Sequence, residues 1–235
     1  MQYKIADLIT AIPAAGDLVP RCREYICQET EKTDIVIEET LFRPDIWPTL
    51  SETSMVYMES GIQFYKSLLH YNGIMLHSSA VELDGKAYLF SGPCRTGKST
   101  HTKLWQQVFG EKAQVFNDDK PAIRFMEDGW YAYGTPWSGK HGINQNKKVP
   151  LAGICFLKQS SVNKIRRLFP EEAVRYVIHQ TLYTFKSMEK VNLMLDIVTK
   201  LVQEVPIYEL ENRPEEAAAW LSYKTMSRAN EENGA

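Results

Sequence analysis

Between Ala87 and Leu104 the chain reads AYLFSGPCRTGKSTHTKL, and inside that run Gly92 is followed by four residues and then Gly97-Lys98-Ser99. An apolar run, Ala87 to Phe90, meets a turn at Gly92, and a helix-like segment opens at Gly97. Few folds accommodate that order: a strand must end in a loop whose backbone N–H groups turn inward, and a helix must start at once. Glycine permits the turn, and the helix N-terminus adds partial positive charge, so the stretch is a phosphate-binding P-loop in its required context. Lys98 is placed to reach the β and γ phosphates, and the Ser99 hydroxyl to ligate Mg²⁺.

The rest of the chain has to supply a core for that loop, and 235 residues with 44% apolar and 24% charged content suffice for one sizeable core with a small appendage. A net charge of -2 and a pI near 6.2 argue against binding to nucleic acid or a membrane surface through bulk electrostatics. Cys22, Cys27, Cys94 and Cys155 follow neither a metal-ligand spacing nor a disulfide framework. The N-terminus MQYKIADLIT has no basic-then-apolar leader pattern, and no run of about 18 apolar residues occurs. A cytoplasmic protein, neither exported nor membrane-spanning, is the expectation.

Residues 1–52 carry weak strand signals at Tyr3 to Ile9 and Asp34 to Ile37, with a loop marked by Arg43-Pro44, Trp47 and Pro48. They read as a small strand-rich N-terminal extension or subdomain without recognisable chemistry. Residues 53–226 form the main domain, and 227–235 a polar tail expected to fray. Met55, Met58, Ile62, Tyr65, Leu68 and Leu69 recur at three- and four-residue intervals, predicting a helix from Glu52 to Tyr71 ended by Asn72-Gly73. Ile74 to Leu83 and Lys86 to Ser91 flank Asp84-Gly85, a strong hairpin signal. The strand feeding the P-loop is therefore expected to pair antiparallel with the strand before it, unlike the parallel sheet of the common P-loop fold.

Beyond the loop, Thr100 to Phe109 predicts a helix and residues 113–116 a strand that stops at Asn117-Asp118-Asp119-Lys120-Pro121. Two adjacent carboxylates at a strand end suit a metal-nucleotide site: one can hold Mg²⁺ and the other take a proton. Taken alone, the same residues also suit an Asx-type turn before Pro121. A second hairpin is expected around Glu127-Asp128-Gly129, then a glycine-rich loop, Gly134 to Gly142, in which Ser138, Lys140 and His141 are possible anion contacts. Leu151 to Leu157 reads as a buried strand, Pro170 to Phe185 and Met188 to Val205 as helices, Ile207 to Leu210 as a strand and Pro214 to Met226 as a last helix.

The order His77, Asp84-Gly85 hairpin, Gly92 to Thr100, Asn117-Asp118-Asp119 resembles the nucleotide-binding core of the HPr kinase/phosphorylase family, which shares its fold with phosphoenolpyruvate carboxykinases. The resemblance covers about residues 74–160. Small bacterial HPr-kinase-like proteins, some of which phosphorylate serine in peptides, are similar in size and in the Trp-containing loop. The resemblance implies an α/β, α+β-leaning fold in which a mixed sheet carries the P-loop, flanked by helices. It implies that Lys98 and the amides of Cys94, Arg95, Thr96, Gly97, Ser99 and Thr100, with Gly92 at the turn, bind the triphosphate of ATP. It further implies that Asp118 is the general base, that Ser99 and Asp119 serve Mg²⁺, and that His77 orients Asp118. Arg124, Trp137 and Lys140 are candidate contacts to the transferred group or substrate. Thr100 stands where HPr kinases carry an acidic residue, so HPr and the reverse phosphorylase reaction are set aside.

The resulting expectation is an ATP-dependent kinase acting on a hydroxyl of a peptide, protein or small molecule. The alternative is a nucleotide-binding regulator or pseudokinase without transfer activity. The apolar helices at 170–205 leave surface for a homo-oligomer.

Overall fold

The computed structural model describes residues 1–28, 31–39, 49, 51–139, 142–181 and 187–232. The loop at Arg43 to Pro48, Lys140, His141 and the end of the helix expected to reach Phe185 lie outside the described residues.

At the N-terminus β1 (Gln2–Ile5) and β2 (Leu8–Ala11) form a hairpin rather than one strand. Ala6 and Asp7, at φ of 50° and 61°, supply the left-handed turn between them. After the short helix α1 (Leu18–Arg21), β3 (Ile35–Val36) pairs parallel to β2. This sheet is not independent of the main domain. Tyr3, Ile5, Leu8, Leu18 and Tyr25 share one apolar cluster with Phe64, Tyr65 and Leu68 of α2 (Glu52–Leu68). Ser51 caps α2 by accepting from the Ser54 amide at 3.2 Å, and Asn72, at φ 54°, turns the chain out of the helix.

The main sheet holds nine strands. The expected strand Ile74 to Leu83 is split: β4 (Gly73–Met75) pairs with β8 (Ala122–Met126), whereas β5 (Ser78–Leu83) pairs with β6 (Lys86–Ser91) and β7 (Gln114–Asp119). His77 lies in the break between β4 and β5, not on a strand. The β5–β6 hairpin turns through Asp84 and Gly85, at φ 52° and 72°, as the sequence predicts. Helix α3 (Lys98–Phe109) follows the P-loop; β8 and β9 (Gly129–Tyr133) form the second hairpin.

The long strand β10 (Lys148–Gln159) ties the sheet together. It pairs antiparallel with β9 near its start and parallel with β6 and β12 (Ile207–Asn212) further on. An unforeseen strand, β11 (Lys164–Arg167), pairs antiparallel with β12. Helices α4 (Pro170–Gln180) and α5 (Met188–Glu204) cover one sheet face, where Val177, Val198 and Leu201 meet Leu89 and Ile154. On the other face α3 and α6 (Glu216–Glu232) meet Tyr88 and Phe90 through Trp105, Ala219 and Met226. The period-2 alternation along β6 thus sends Leu89 and Phe90 into different clusters, and burying each side chain stabilises the fold by about 2 kcal/mol. Helix α6 runs through Glu232 instead of fraying after Met226, because Ser227 to Glu232 contains neither glycine nor proline. Among the described residues no helix is long and apolar enough to cross a membrane.

Candidate active site

The P-loop leaves β6 at Ser91 and enters α3 at Lys98. Gly92 sits at φ 140° and Gly97 at φ 101°, and Arg95 takes φ 68° despite its side chain. A Cβ on Gly92 would stand 2.9 Å from Thr96 Oγ1 and 3.2 Å from the Leu157 carbonyl oxygen, so the loop is closely packed as well as sharply turned. The first bond inside α3 is donated by the His101 amide to Gly97 O at 2.8 Å. The amides of Lys98, Ser99 and Thr100 therefore have no intrahelical acceptor and remain oriented for an anion. Lys98 folds back over the loop, donating to Gly92 O at 2.8 Å and Pro93 O at 3.1 Å. Burial lowers its pKa, while Cys94, Asp119 and Asp118 act in the opposite direction.

Across the sheet, Asp118 and Asp119 are the last two residues of β7, and strand geometry separates their tasks. Asp118 pairs with Ser79 and Asp119 with Ser78. Successive strand residues face opposite sides. Asp118 accordingly meets α3, accepting from Ser99 Oγ at 2.9 and 3.1 Å, while Ser79 beside it bonds Thr102 of the same helix at 2.9 Å. Asp119 meets His77 instead, with 3.1 Å between Nε2 and Oδ1, and Lys120 pairs with its other oxygen. His77 thus orients Asp119, not Asp118, correcting the sequence expectation. The reason is the break between β4 and β5, which places His77 next to Ser78, the strand partner of Asp119. The turn after the carboxylates is made by Asn117, whose buried Oδ1 accepts from the Lys120 amide at 3.0 Å.

Burial pushes the Asp119 carboxyl up, but the hydrogen bond from His77 and the charge and hydrogen bond of Lys120 outweigh it and hold the pKa at about 2. Asp119 also carries φ 128°, a costly value for a residue with a Cβ. It is braced on both sides, by Ser78 of β5 and by a bridge to Ser138. On the far side of His77, Nδ1 lies 3.2 Å from Gln180 Oε1, and the His77 amide donates to Gln180 O at 2.7 Å. The C-terminal end of α4 is therefore tied to the carboxylate pair.

Three candidate contact residues fare differently. Arg124 does not face the loop: Nε donates to Tyr71 O at 3.1 Å and Nη1 to Ala6 O, so the guanidinium clamps the N-terminal hairpin to β8. Trp137 is a packing residue, 1% exposed and stacked on Phe64 at 4.8 Å, with its indole N–H donating to Ser60. Lys140 lies outside the described residues. Ser138 is buried and accepts from Arg21.

Arg21 is the residue sequence reasoning missed most completely. From the N-terminal extension its Nη1 also reaches Ser138 O at 3.1 Å and Gly139 O at 3.3 Å, while Tyr57, 5.1 Å below the guanidinium, donates its hydroxyl to Ser138 O. The 138–139 segment in turn bonds Asp118 O through the Gly139 amide. No sequence signal within ten residues of Arg21 points to this contact, which is made across the fold. Arg175 and His179, at i and i+4 on α4 and so on one helix face, were likewise unmarked.

Two cavities adjoin the carboxylate side of the site. One, about 580 Å³, is bounded by Gly92, Pro93, Phe156, Arg175 and His179; the other, about 310 Å³, by His77, Asp119, Lys120, His179 and Gln180. A third, about 400 Å³, opens on the other side of the loop at Thr96 and Thr100. Among the described residues no group of three or more His, Cys, Asp and Glu side chains could hold a metal by protein ligands alone. The hydroxyl–carboxylate pair of Ser99 and Asp118 fits Mg²⁺, which takes one or two protein oxygens and completes its shell with phosphates and water. No family model matches the chain, and no curated protein matches it.

Proposed function

We propose that the protein is an ATP-dependent kinase that transfers the γ-phosphoryl group to a hydroxyl acceptor, on a mixed-sheet scaffold of the HPr-kinase and phosphoenolpyruvate-carboxykinase type. The observation that carries the proposal is the division between two adjacent carboxylates: Asp118 bonds the P-loop helix through Ser99, and Asp119 bonds His77 beside a cavity. The antiparallel β5 between the P-loop strand and the carboxylate strand supports this scaffold over the all-parallel P-loop fold.

In this reading Lys98 swings from the Gly92 and Pro93 carbonyls onto the phosphates, and the amides of residues 98–100 receive the triphosphate oxygens. Ser99 and Asp118 would hold Mg²⁺, which when bound neutralises charge on the β and γ phosphates. Asp119 accepts the hydroxyl proton of the acceptor as the oxygen bonds to the γ-phosphorus and the bond to the β-phosphate oxygen breaks, releasing ADP. Its low pKa keeps it ionised at neutral pH. In a loose transition state the hydroxyl loses its proton late, so a weakly basic carboxylate that orients the nucleophile is sufficient. His77, fixed by Gln180, positions Asp119.

The test is to incubate the protein with γ-labelled ATP, Mg²⁺ and an extract of the source organism, and to identify the labelled product. Asp119→Asn should abolish labelling while ADP binding survives, and Asp118→Asn should remove the Mg²⁺ dependence of nucleotide affinity. Full transfer by Asp119→Asn would refute the base assignment. Nucleotide binding without any labelled acceptor would favour the regulator reading.

A further inference from the structure

The cavity of about 400 Å³ on the other side of the P-loop is lined by Thr96, Thr100, His101, Gln159, Asn212 and Pro214, among others. Its volume lies within the range of small-molecule sites. Because Ser99 and Asp118 fix the γ-phosphate end of a bound triphosphate toward β7, the nucleoside must leave the loop at its opposite end, past Thr96 and Thr100. This rests on the kinase reading only to the extent that the P-loop holds a triphosphate.

Two side chains in this wall are buried with an unsatisfied atom. His101 is 1% exposed and Asn212 9%, and neither His101 Nδ1 nor Asn212 Oδ1 has a hydrogen-bond partner among the described residues. The bonds around them show what kind of partner is missing. Ser222 Oγ donates its own proton to Ala219 O at 3.0 Å and accepts from Trp105 Nε1 at 3.0 Å. His101 Nε2, 3.0 Å from the same Oγ, must therefore be the donor, and in the neutral ring this leaves Nδ1 as a lone-pair acceptor. Asn212 donates from Nδ2 to Arg213 O at 3.4 Å, which leaves Oδ1, also an acceptor. Buried acceptors without donors are destabilising, and buried polar groups in folded proteins are ordinarily paired. Both orphans call for N–H donors.

We propose that this cavity is the nucleoside site and that His101 and Asn212 read the exocyclic amino group of the base, selecting adenine- or cytosine-type nucleotides over those with an oxo group in its place. An amino group presents two N–H donors. Hypoxanthine and uracil present a carbonyl oxygen at the corresponding position and would set acceptor against acceptor.

Calorimetric titration with ADP, IDP, CDP, UDP and inorganic tripolyphosphate tests this without any phosphoryl acceptor. ADP should bind about tenfold tighter than IDP, and CDP about tenfold tighter than UDP, the value of one well-made hydrogen bond. In Asn212→Ala the ADP:IDP ratio should fall toward one while tripolyphosphate affinity is unchanged; Asn212→Asp, which keeps an acceptor, should retain the preference. Tripolyphosphate binding with equal ADP and IDP affinities would overturn the base site and leave the P-loop intact. Failure of tripolyphosphate and all nucleotides to bind would overturn both.

Discussion

His101 makes the stability of this protein depend on pH in a window where few other groups titrate. The imidazole is sealed against Phe90, with ring centroids 4.5 Å apart, and has no carboxylate partner. Burial lowers its pKa from 6.5 to about 3. The unfolded chain therefore binds a proton as pH falls through 6.5 and the folded chain does not, so stability is fully present above that value and drains as pH drops toward the folded pKa. Between pH 7 and pH 4.5 the loss from this one group is about 2.5 kcal/mol, from linkage with the two pKa values. Urea unfolding at both pH values, in the wild type and in His101→Gln, isolates it, since glutamine can still donate to Ser222 but does not titrate. The variant should lose less stability than the wild type by about that amount. Parallel losses in the two proteins would show that His101 is not held neutral in the folded state.

Two further substitutions probe the architecture around the carboxylates. A Cβ on Gly134 would stand 1.8 Å from the backbone oxygen of Gln145, so Gly134→Ala should lower the unfolding free energy by about 3 kcal/mol in urea titrations, and a neutral result would refute the close approach. Arg21→Met releases the 138–139 segment that braces Asp118 and Asp119. It should cut the transfer rate about a hundredfold with nucleotide affinity unchanged, as misplacement of a reacting group does, whereas a change in affinity alone would contradict the positioning role.

The parts of the site that are local in sequence were legible there, and those made by tertiary contact were not. Gly92 to Ser99 and the Asp84-Gly85 turn each carry their structure within a few residues, because positive φ and a helix start leave a direct mark on residue choice. The partner of His77 was misjudged because an unbroken strand through Ile74 to Leu83 would aim it differently. The break at Leu76-His77, where Leu76 bonds Pro121 O and His77 bonds Gln180 O, is imposed by two distant elements. Arg124 and Trp137 look functional in a sequence because charged and aromatic side chains near a loop often are. Here their neighbours are the N-terminal hairpin and α2, which come from more than fifty residues away. β11, with sequence KIRR, lacks any apolar alternation and exists only because β12 offers it an edge.

Ser91, Ser78 and Asp119 lie opposite one another on three successive strands, as do Phe90, Ser79 and Asp118 one step along. Each row crosses two hydrogen-bonded spacings, about 9.5 Å in all. The sheet thereby works as a ruler: the gap between the phosphate cradle and the carboxylates is set by backbone pairing, which side-chain changes alter little. An insertion in the Asp84-Gly85 turn would leave that gap unchanged, whereas a register slip of one residue in β7 would exchange the faces of Asp118 and Asp119 and give each the other's surroundings.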